Sequence, residues 1–325
     1  MRPDAPIAID SSIRAVKLGS SSNAVLPMAL GGSWYATDAG DSSLIGAMEA
    51  AYDGGLRHFD TAASYGQGHS EELLGNFLAG KRGSVFLASK ANPPELTALS
   101  ILAEVDKSLK RLRTEAIDLY YIHWPRAGRD MRPVMDGLEL ARRQSKIAAI
   151  GVSNFSVAEM RQVEEVGTID VHQLGYNLIW RHTERELIPY CQERGMAVIA
   201  YSPLAHGILT GKFGRKPVLA PGDQRHTILP FRADIWPHVF AGVEKLKNLA
   251  GEIGLPLATL AIRWILDRPG INSVVVGARS SEQSSANVAA LAPTVPASAY
   301  QAMTAISDEI VAHVPDVGNL FNHYP

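Results

Sequence analysis

Short, nearly unbroken apolar runs alternate along this chain with longer stretches in which apolar residues recur at helical spacing. In two of the longer stretches, Leu44, Ile45, Met48 and Tyr52 share one helical face, as do Ile101, Val105, Leu109 and Leu112. Unbroken apolar runs are typical of parallel strands buried on both faces. Eight strand–helix units of this kind predict a closed (β/α)8 TIM barrel. The predicted strands are residues 25–30, 57–60, 85–89, 117–122, 148–152, 171–174, 197–200 and 273–276.

Three segments depart from the repeat. Residues 13–23, with Gly19 and three serines, predict a β-hairpin that plugs the N-terminal end of the barrel. Residues 207–237 are rich in Gly, Pro and charge and predict a long loop at the C-terminal face, of the kind that often forms a functional lid. We expect one domain over 1–325, with the barrel core at about 25–291 and a C-terminal helix and tail at 292–325.

The composition and net charge of the chain indicate which kinds of molecule it binds. The 325 residues are 46% hydrophobic, and 31 basic against 33 acidic residues give a net charge of −2, which argues against a nucleic-acid or anionic-membrane partner. Without an apolar leader or a membrane-length apolar run, we expect a cytoplasmic protein, monomeric or a small homo-oligomer. Cys191 is the only cysteine and lies in an apolar-periodic stretch, which favours a buried structural thiol. The ten histidines lack metal-ligand spacing, so we expect no metal.

Polar residues follow the predicted strands at the end where TIM barrels carry their active sites. Asp60 and Tyr65 follow the second strand, Lys90 the third and His123 the fourth. A lysine ammonium favours the phenolate form of a neighbouring tyrosine, and an aspartate can hold that ammonium in place. Tyr65 would then act as general acid in reduction and general base in oxidation, while His123 orients a carbonyl oxygen. Each residue alone has an ordinary structural explanation, but their convergence on one mouth favours function.

Several longer motifs make the chain resemble the aldo-keto reductase superfamily from about residue 25 to 287. They are Phe59-Asp60-Thr61-Ala62-Ala63-Ser64-Tyr65-Gly66 with His69-Ser70-Glu71, Ser89-Lys90, Ile122-His123-Trp124, Gly151-Val152-Ser153-Asn154-Phe155, Gln173-Leu174-Gly175-Tyr176-Asn177, Ala200-Tyr201-Ser202-Pro203-Leu204, Leu209-Thr210-Gly211-Lys212 and Gly277-Ala278-Arg279.

The resemblance implies a nicotinamide-dependent oxidoreductase that interconverts aldehydes or ketones and alcohols, with Asp60, Tyr65, Lys90 and His123 as its catalytic tetrad. It also implies a series of cofactor contacts along the mouth. The nicotinamide would be held by Ser153, Asn154, Gln173 and Tyr201, the pyrophosphate by Ser202, Leu204, Gly207 and Lys212, and the adenosine end by Gly277, Arg279, Gln283 and Asn287.

The choice between NADP and NAD rests on one guanidinium. The family pattern after Gly277-Ala278 often has two basic residues that bind the 2′-phosphate of NADP, whereas this chain has Arg279 followed by Ser280 and Ser281. One guanidinium can still pair with a phosphate through two hydrogen bonds. We therefore predict NADP (NADPH), and NAD stays open.

Aromatic residues near the strand ends predict a substrate pocket. Trp34, Tyr35 and Trp124 would wall it, which suits a sugar or a bulky ring carbonyl as the small-molecule substrate. Trp180 is placed equally well in the pocket or against a helix. Trp236 and Trp264 lie in or near helical segments and are expected to be structural.

Two other functions are compatible with parts of the sequence. The same superfamily includes regulatory β-subunits of potassium channels, in which binding to a channel is the main role and reductase activity is vestigial. A barrel lyase or aldolase could instead use Lys90 as a Schiff-base nucleophile, which would leave the cofactor motifs unexplained.

Overall fold

A computed structural model describes residues 9–19, 24–33, 40–319 and 321, and within them eight parallel strands form a closed barrel in sequence order. Strand β8 returns to β1 in the register Met28↔Val274 to Gly31↔Gly277. The (β/α)8 prediction is confirmed. The strands are β1 Met28–Gly31, β2 His58–Asp60, β3 Phe86–Ala91, β4 Ile117–Ile122, β5 Ile147–Ser153, β6 Val171–Gly175, β7 Ala197–Tyr201 and β8 Ser273–Gly277.

Ten α-helices surround the barrel in the described ranges. Their first turns follow local capping chemistry: Ser156 and Glu159 form a reciprocal capping box on α5, and Thr97 accepts the backbone N–H of Ser100 on α3. The helices are α1 Asp41–Asp53, α2 His69–Phe77, α3 Ala98–Leu112, α4 Arg132–Arg143, α5 Val157–Glu164, α6 Leu187–Arg194, α7 Trp236–Ile253, α8 Leu257–Leu266, α9 Ser281–Ala289 and α10 Ala297–Val311. In these ranges no single helix has the length and apolar content to cross a membrane. The helices α7 and α8 have that length and apolar content only when counted together, and they are bent by 94° with respect to each other.

Side chains along each strand point alternately into the barrel and towards the helices, so the core has an interior part and an outer part. In β4, Leu119 and Tyr121 face the barrel interior, while Tyr120 and Ile122 pack in the layer between the barrel and the helices. The interior cluster contains Leu18, Val25, Ala29, Phe86, Ala88, Leu119, Tyr121, Ala149, Val171, Ile199 and Val275.

The N-terminal plug forms as predicted in the part of it that the structure describes. Val16 and Val25 exchange backbone hydrogen bonds of 2.8 and 2.9 Å as an antiparallel bridge, and Leu18 is fully buried in the interior cluster. Residues 20–23, at the turn, lie outside the described ranges. Because Val25 pairs with Val16, the first barrel strand begins at Met28 and not at residue 25 as predicted.

Several strands run further than their apolar residues indicated. Strand β3 includes Lys90 and ends at Ala91, β5 ends at Ser153 and β7 ends at Tyr201. Polar side chains that are satisfied at the barrel mouth do not interrupt the backbone ladder, so an apolar criterion ends each strand too early. Six of the sixteen predicted catalytic and cofactor residues therefore lie on strands: Asp60, Lys90, Ser153, Gln173, Tyr201 and Gly277.

We predict that Gly151→Ala destabilises the protein by about 1–3 kcal/mol, because a methyl group there overpacks the barrel wall. Its Cβ would lie 2.2 Å from Cδ1 and 2.4 Å from Cε1 of the buried Tyr121 ring. Urea unfolding measures the change. Gly251→Ala is the matched control, since it lies in α7 with no atom within 4 Å of the new Cβ, and should stabilise by roughly 0.5–1 kcal/mol. Equal stability of wild type and Gly151→Ala would contradict the packing.

Candidate active site

The strand pattern places the predicted acid–base residues over the barrel interior. In β2, His58 and Asp60 alternate with the outward-facing Phe59, and in β3 Lys90 follows Ala88 on the inward row. Asp60 and Lys90 are the last inward residues of neighbouring strands, with side chains that are 2% and 0% exposed. Two opposite charges thus lie together above an apolar core.

Lys90 and Asp60 form a buried ion pair. Lys90 Nζ donates to Asp60 Oδ1 at 2.5 Å and to the carbonyl oxygen of Thr61 at 2.9 Å. Gln173 Nε2, on β6, donates to the second carboxylate oxygen of Asp60 at 2.9 Å. Burial lowers the pKa of Lys90, and Asp60 opposes that effect. The pair fixes the ammonium in position and leaves both carboxylate oxygens engaged.

Tyr65 and His123 lie beside this pair. The Tyr65 ring meets the His123 ring edge-on with 5.6 Å between centroids, and Lys90 Nζ lies 5.3 Å from the centroid of the Tyr65 ring. Burial, and then the Lys90 charge, lower the pKa of His123 to about 3. The imidazole is therefore neutral at physiological pH and able to donate one N–H. The structure brings all four predicted tetrad residues together.

Polar side chains at the ends of β5 and β7 form a second row along the mouth. Tyr201 donates its hydroxyl to Asn154 Oδ1 at 2.7 Å. Asn154 Nδ2 lies 3.0 Å from Ser153 Oγ and 3.2 Å from the carbonyl oxygen of His123, to both of which it donates. Asn154 thus joins the expected stacking ring, Tyr201, to the strand that carries His123. Gln173, expected at the cofactor amide, also contacts the tetrad through Asp60.

The loop after β7 has the backbone shape of an anion-binding turn. Ser202, His206 and Gly207 have φ values of 54°, 55° and 92°, so successive N–H groups change direction sharply. The φ of Gly207 favours glycine, and the end of the Lys212 side chain lies over it, since a Cβ there would lie 2.9 Å from Cε and 3.0 Å from Nζ of Lys212. Three of the expected pyrophosphate residues, Ser202, Gly207 and Lys212, thus share one turn, and Leu204 begins its 3₁₀ segment.

Arg225 is a cation of this region that the sequence analysis missed. The pKa of Lys212 is lowered by burial first and then by the charges of Arg225 and Arg279, so the three cations lie within electrostatic range of one another. Arg225 Nε donates to Asp223 Oδ1 at 2.9 Å, and its guanidinium lies 5.4 Å from the Phe213 ring centroid. Arg225 carries no motif, and only its charge within the predicted lid could have marked it.

The expected adenosine-end residues are also close together. The backbone N–H of Arg279 donates to Gln283 Oε1 at 2.9 Å, and Asn287 Nδ2 donates to the carbonyl oxygen of Gly277 at 3.3 Å. Ser280 accepts the backbone N–H of Gln283 as the N-cap of α9. Ser280, at a position where the family often has a basic residue, thus caps a helix whose positive N-terminal end lies beside Arg279.

The substrate side is described in part. Trp124 lies half-buried beside the tetrad, with its ring 6.4 Å from that of His123, whereas Trp34 and Tyr35 lie outside the described residues. Phe321, from the C-terminal tail, was not predicted. Its ring lies 5.9 Å from Trp124, 6.1 Å from Tyr201 and 5.5 Å from His206, centroid to centroid, so the tail reaches the mouth itself.

The remaining tryptophans are structural. Trp180 is 2% exposed and packs edge-on against His182, which excludes the pocket position that the sequence left open. Trp236 stacks on Phe231 at 5.3 Å, and Trp264 stacks on Tyr176 at 5.5 Å, as their helical positions predicted.

Cys191 is fully buried 3.6 Å from His172 Nδ1, and burial raises the pKa of its thiol to about 12. It is therefore a structural thiol, as its apolar setting predicted. Over residues 9–19, 24–33, 40–319 and 321, no three His, Cys, Asp or Glu side chains are grouped as metal ligands.

A closed parallel barrel with a buried Lys–Asp pair, a tyrosine and a neutral histidine at its C-terminal mouth defines a candidate acid–base enzyme of the TIM-barrel class. The profile of the aldo/keto reductase family matches residues 27–308, so the chain belongs to that family. It is 34% identical over 295 residues to the aldo-keto reductase YhdN of Bacillus subtilis, with 84% of each chain covered. The structure of glycerol dehydrogenase AKR11B4 from Gluconobacter oxydans superposes with a TM-score of 0.83 at 29% identity, covering 93% and 96% of the two chains.

Other relatives differ in cofactor and role. The NADH-specific methylglyoxal reductase of Escherichia coli is 31% identical over 259 residues, 73% of this chain and 79% of the relative. An aldo/keto reductase from Klebsiella pneumoniae, solved with NADP and acetate, superposes with a TM-score of 0.74 at 27% identity over 90% and 94% of the chains. A probable voltage-gated potassium channel β-subunit of Oryza sativa is 29% identical over 266 residues, 75% and 80% of the chains. The NADH-specific relative and the relative solved with NADP thus differ in cofactor.

We predict that the protein loses stability as the pH falls from about 7 towards 5. Burial lowers the pKa of His58, just below the tetrad, to about 4, and that of His172 to about 3. The ordinary histidine pKa is about 6.5, so between these values the unfolded chain binds more protons than the folded one. Stability then decreases with falling pH, by up to about 1.4 kcal/mol per pH unit for each histidine.

Urea unfolding over this pH range measures the effect. His172→Leu removes one titrating group and should give a shallower dependence of the unfolding free energy on pH, whatever its effect at neutral pH. An unchanged slope in that variant would show that His172 does not carry the effect.

Proposed function

We propose that this protein is a nicotinamide-dependent carbonyl reductase that converts aldehydes or ketones to alcohols, or the reverse, with Tyr65 as the general acid and base. The observation that carries the proposal is the position of the Lys90 ammonium, held by Asp60 and lying 5.3 Å from the centroid of the Tyr65 ring. A positive charge at that distance favours the phenolate and eases proton release from Tyr65.

In reduction, the bound cofactor supplies the hydride to the carbonyl carbon. His123, kept neutral by burial, donates an N–H to the carbonyl oxygen and orients it. Tyr65 donates its phenolic proton to the same oxygen as the C–O bond becomes single, and Lys90 stabilises the phenolate that remains until solvent reprotonates it. Asp60 holds the ammonium throughout. Oxidation uses the same groups in reverse.

The chain's own residues fit a nicotinamide cofactor along the second row of the mouth. Tyr201, whose ring also stacks on Phe321 with 6.1 Å between centroids, would offer its other face to the nicotinamide, and Ser153, Asn154 and Gln173 would line the place of its carboxamide. The pyrophosphate would lie on the turn of Ser202, Leu204 and Gly207, beneath Lys212. The adenosine would lie at Gly277, Arg279, Gln283 and Asn287.

NADP is the cofactor that the charges favour. Arg279 and the N-terminus of α9 lie together at the adenosine end, and Arg225 and Lys212 add positive charge nearby. Arg225 can compensate for the serine at residue 280, because its charge acts on the same region. The NADH-specific relative keeps NAD as the competing possibility.

A bulky or cyclic carbonyl compound, such as a sugar, suits the aromatic surroundings of the tetrad. Trp124 and Phe321 contact each other beside His123 and present hydrophobic faces to the mouth. Trp34 and Tyr35 remain proposed wall residues. We place the reductase in the cytoplasm as a monomer or small homo-oligomer that acts on small molecules and is not a partner of nucleic acid.

A second candidate function is regulation of a potassium channel, with vestigial reductase activity. The channel β-subunit relative favours it. Turnover of a panel of aldehydes and sugars with NADPH or NADH separates the two, because enzyme-like kcat/KM values support the reductase. The Schiff-base alternative is disfavoured by the two hydrogen bonds that hold Lys90 Nζ as an ammonium.

We predict that Tyr65→Phe lowers kcat for reduction by about 10²–10⁴-fold, because only the proton donor is removed. Cofactor affinity, followed by fluorescence titration, should stay unchanged, since the phenol lies beside Lys90 and His123 and not on the phosphate turn. Near-normal turnover by this variant would refute the proposed role of Tyr65.

We predict that Arg279→Ala weakens NADPH binding by roughly 10–100-fold and NADH binding much less, because a charge-assisted contact to the 2′-phosphate contributes about 1.5–3 kcal/mol. Arg225→Ala should act in the same direction with a smaller ratio, since part of its charge is already paired with Asp223. Fluorescence titrations with both cofactors measure the ratio. Equal losses for the two cofactors in Arg279→Ala would place Arg279 away from the 2′-phosphate.

A further inference from the structure

The loop that carries Tyr65 has an unusual backbone conformation. Gly66, Gln67 and Gly68 follow the tyrosine with φ values of 58°, 56° and 99°, so three successive residues are left-handed. Left-handed residues are held in place by their surroundings, so what packs behind the loop bears on the position of the phenol.

Arg111 of α3 packs against the end of this loop. A Cβ at Gly68 would lie 2.7 Å from Cδ and 2.9 Å from Nε of Arg111, so the guanidinium stem lies directly on the glycine backbone. Arg111 is on a rigid helix, and through this contact it limits where Gly68, and with it Tyr65, can lie.

Glu71, in the first turn of α2, joins Arg111 to the strand that carries Lys90. Arg111 Nε donates to Glu71 Oε2 at 2.5 Å, and Ser89 Oγ donates to Glu71 Oε1 at 2.5 Å. The Glu71 side chain is 0% exposed. Ser89 precedes Lys90 in β3 and points away from the barrel interior. One chain of contacts therefore runs from the tyrosine loop through two helices to the strand of the catalytic lysine.

Glu71 also acts on the charge of Lys90. Its carboxylate raises the pKa of Lys90, as Asp60 does more strongly, against the lowering by burial. The titratable and charged groups that surround Lys90 come from the neighbouring elements: His58 and Asp60 from β2, Tyr65 from its loop, Glu71 from α2, Tyr121 and His123 from β4, and Arg111 from α3 on the far side of Glu71.

We infer that Glu71 and Arg111 are positioning residues of the acid–base step. The pair of buried Glu71 and half-buried Arg111 fixes the separation between the Tyr65 phenol and the Lys90 ammonium, and Glu71 supplies a fixed negative charge that favours the ammonium form of Lys90. Neither residue is placed against substrate or cofactor. The inference rests on the proposed role of Tyr65, and it adds a second carboxylate, remote from the reacting atoms, to the machinery that sets the acidity of the phenol.

The test compares Glu71→Gln, Arg111→Met and Arg111→Lys in the full-length protein. We expect Glu71→Gln and Arg111→Met to lower kcat for reduction by roughly 10–100-fold, with KM and the cofactor Kd within about threefold of wild type. Arg111→Lys keeps the charge and should recover part of the loss. If Glu71→Gln fails to fold, a lowered kcat with unchanged Kd in Arg111→Met, partly recovered in Arg111→Lys, carries the test.

The pH dependence of kcat distinguishes positioning from a purely structural role. Removal of the Glu71 charge makes neighbouring groups lose protons more readily, so the alkaline limb of the reduction profile should move to lower pH in Glu71→Gln. Arg142→Met is the matched control: it breaks a similar pair on α4, where Arg142 Nη2 lies 2.6 Å from Glu139 Oε1, and should lower the melting temperature without changing kcat or the limb.

An unchanged kcat in the Glu71 and Arg111 variants, or a fall in kcat without a shift of the limb in Glu71→Gln, would overturn the inference. Either result beside an inactive Tyr65→Phe would leave the proposed function standing. A fully active Tyr65→Phe would instead overturn the proposed function itself.

Discussion

The ion pair between Lys90 and Asp60 is the interaction on which the rest of the site depends. Two opposite charges in an apolar barrel are costly to bury, and they are tolerated only because each is satisfied by further hydrogen bonds. Thr61 supplies a carbonyl to the ammonium, and Gln173 supplies an amide to the carboxylate. Removal of either charge would leave the other buried and unpaired. The barrel therefore fixes both groups. The charges of this pair also act on the pKa values of His58, Tyr121 and His123.

The neutral state of His123 follows from that pair. The half-buried imidazole lies near an ammonium, and both desolvation and the Lys90 charge lower its pKa. Tyr65 meets the same ammonium as a potential anion, for which the charge is favourable. One cation thus has opposite effects on two neighbours, since it discourages a second positive charge and encourages a negative one. The charge of Lys90 thus helps to make His123 a hydrogen-bond donor and Tyr65 a proton donor.

Much of this arrangement could be predicted from the sequence because it is local to strands. The ends of neighbouring parallel strands converge at one mouth wherever the strands close into a barrel, so the convergence of Asp60, Lys90 and His123 follows from topology. Strand limits were less predictable. Val25 pairs with Val16 of the plug, so β1 starts only at Met28. An apolar residue at this position could equally have belonged to the plug or to the barrel strand.

Contacts between distant segments were the ones that the sequence did not reveal. Phe321 reaches Trp124 and Tyr201 from the far end of the chain, and Arg225 comes within range of Lys212 and Arg279 through a loop without periodicity. No spacing rule connects such residues. Trp180 is the opposite case. Its place in the sequence, near a strand end, was compatible with the pocket, and only its packing against His182 excludes it from the pocket.

The division of the barrel into two ends explains why the site tolerates so much buried charge. At the N-terminal end, Leu18 and the Val16–Val25 bridge cover the interior, and apolar residues fill it up to the level of Phe86 and Ala88. This core makes the floor of the site rigid and poor in polar groups, so the charges above it interact strongly with one another. The C-terminal end carries the loops that can vary, including the tyrosine loop. The tyrosine loop is contacted from two sides: Lys90 and His123 at the mouth lie against the Tyr65 ring, and the helices α2 and α3 pack behind the loop.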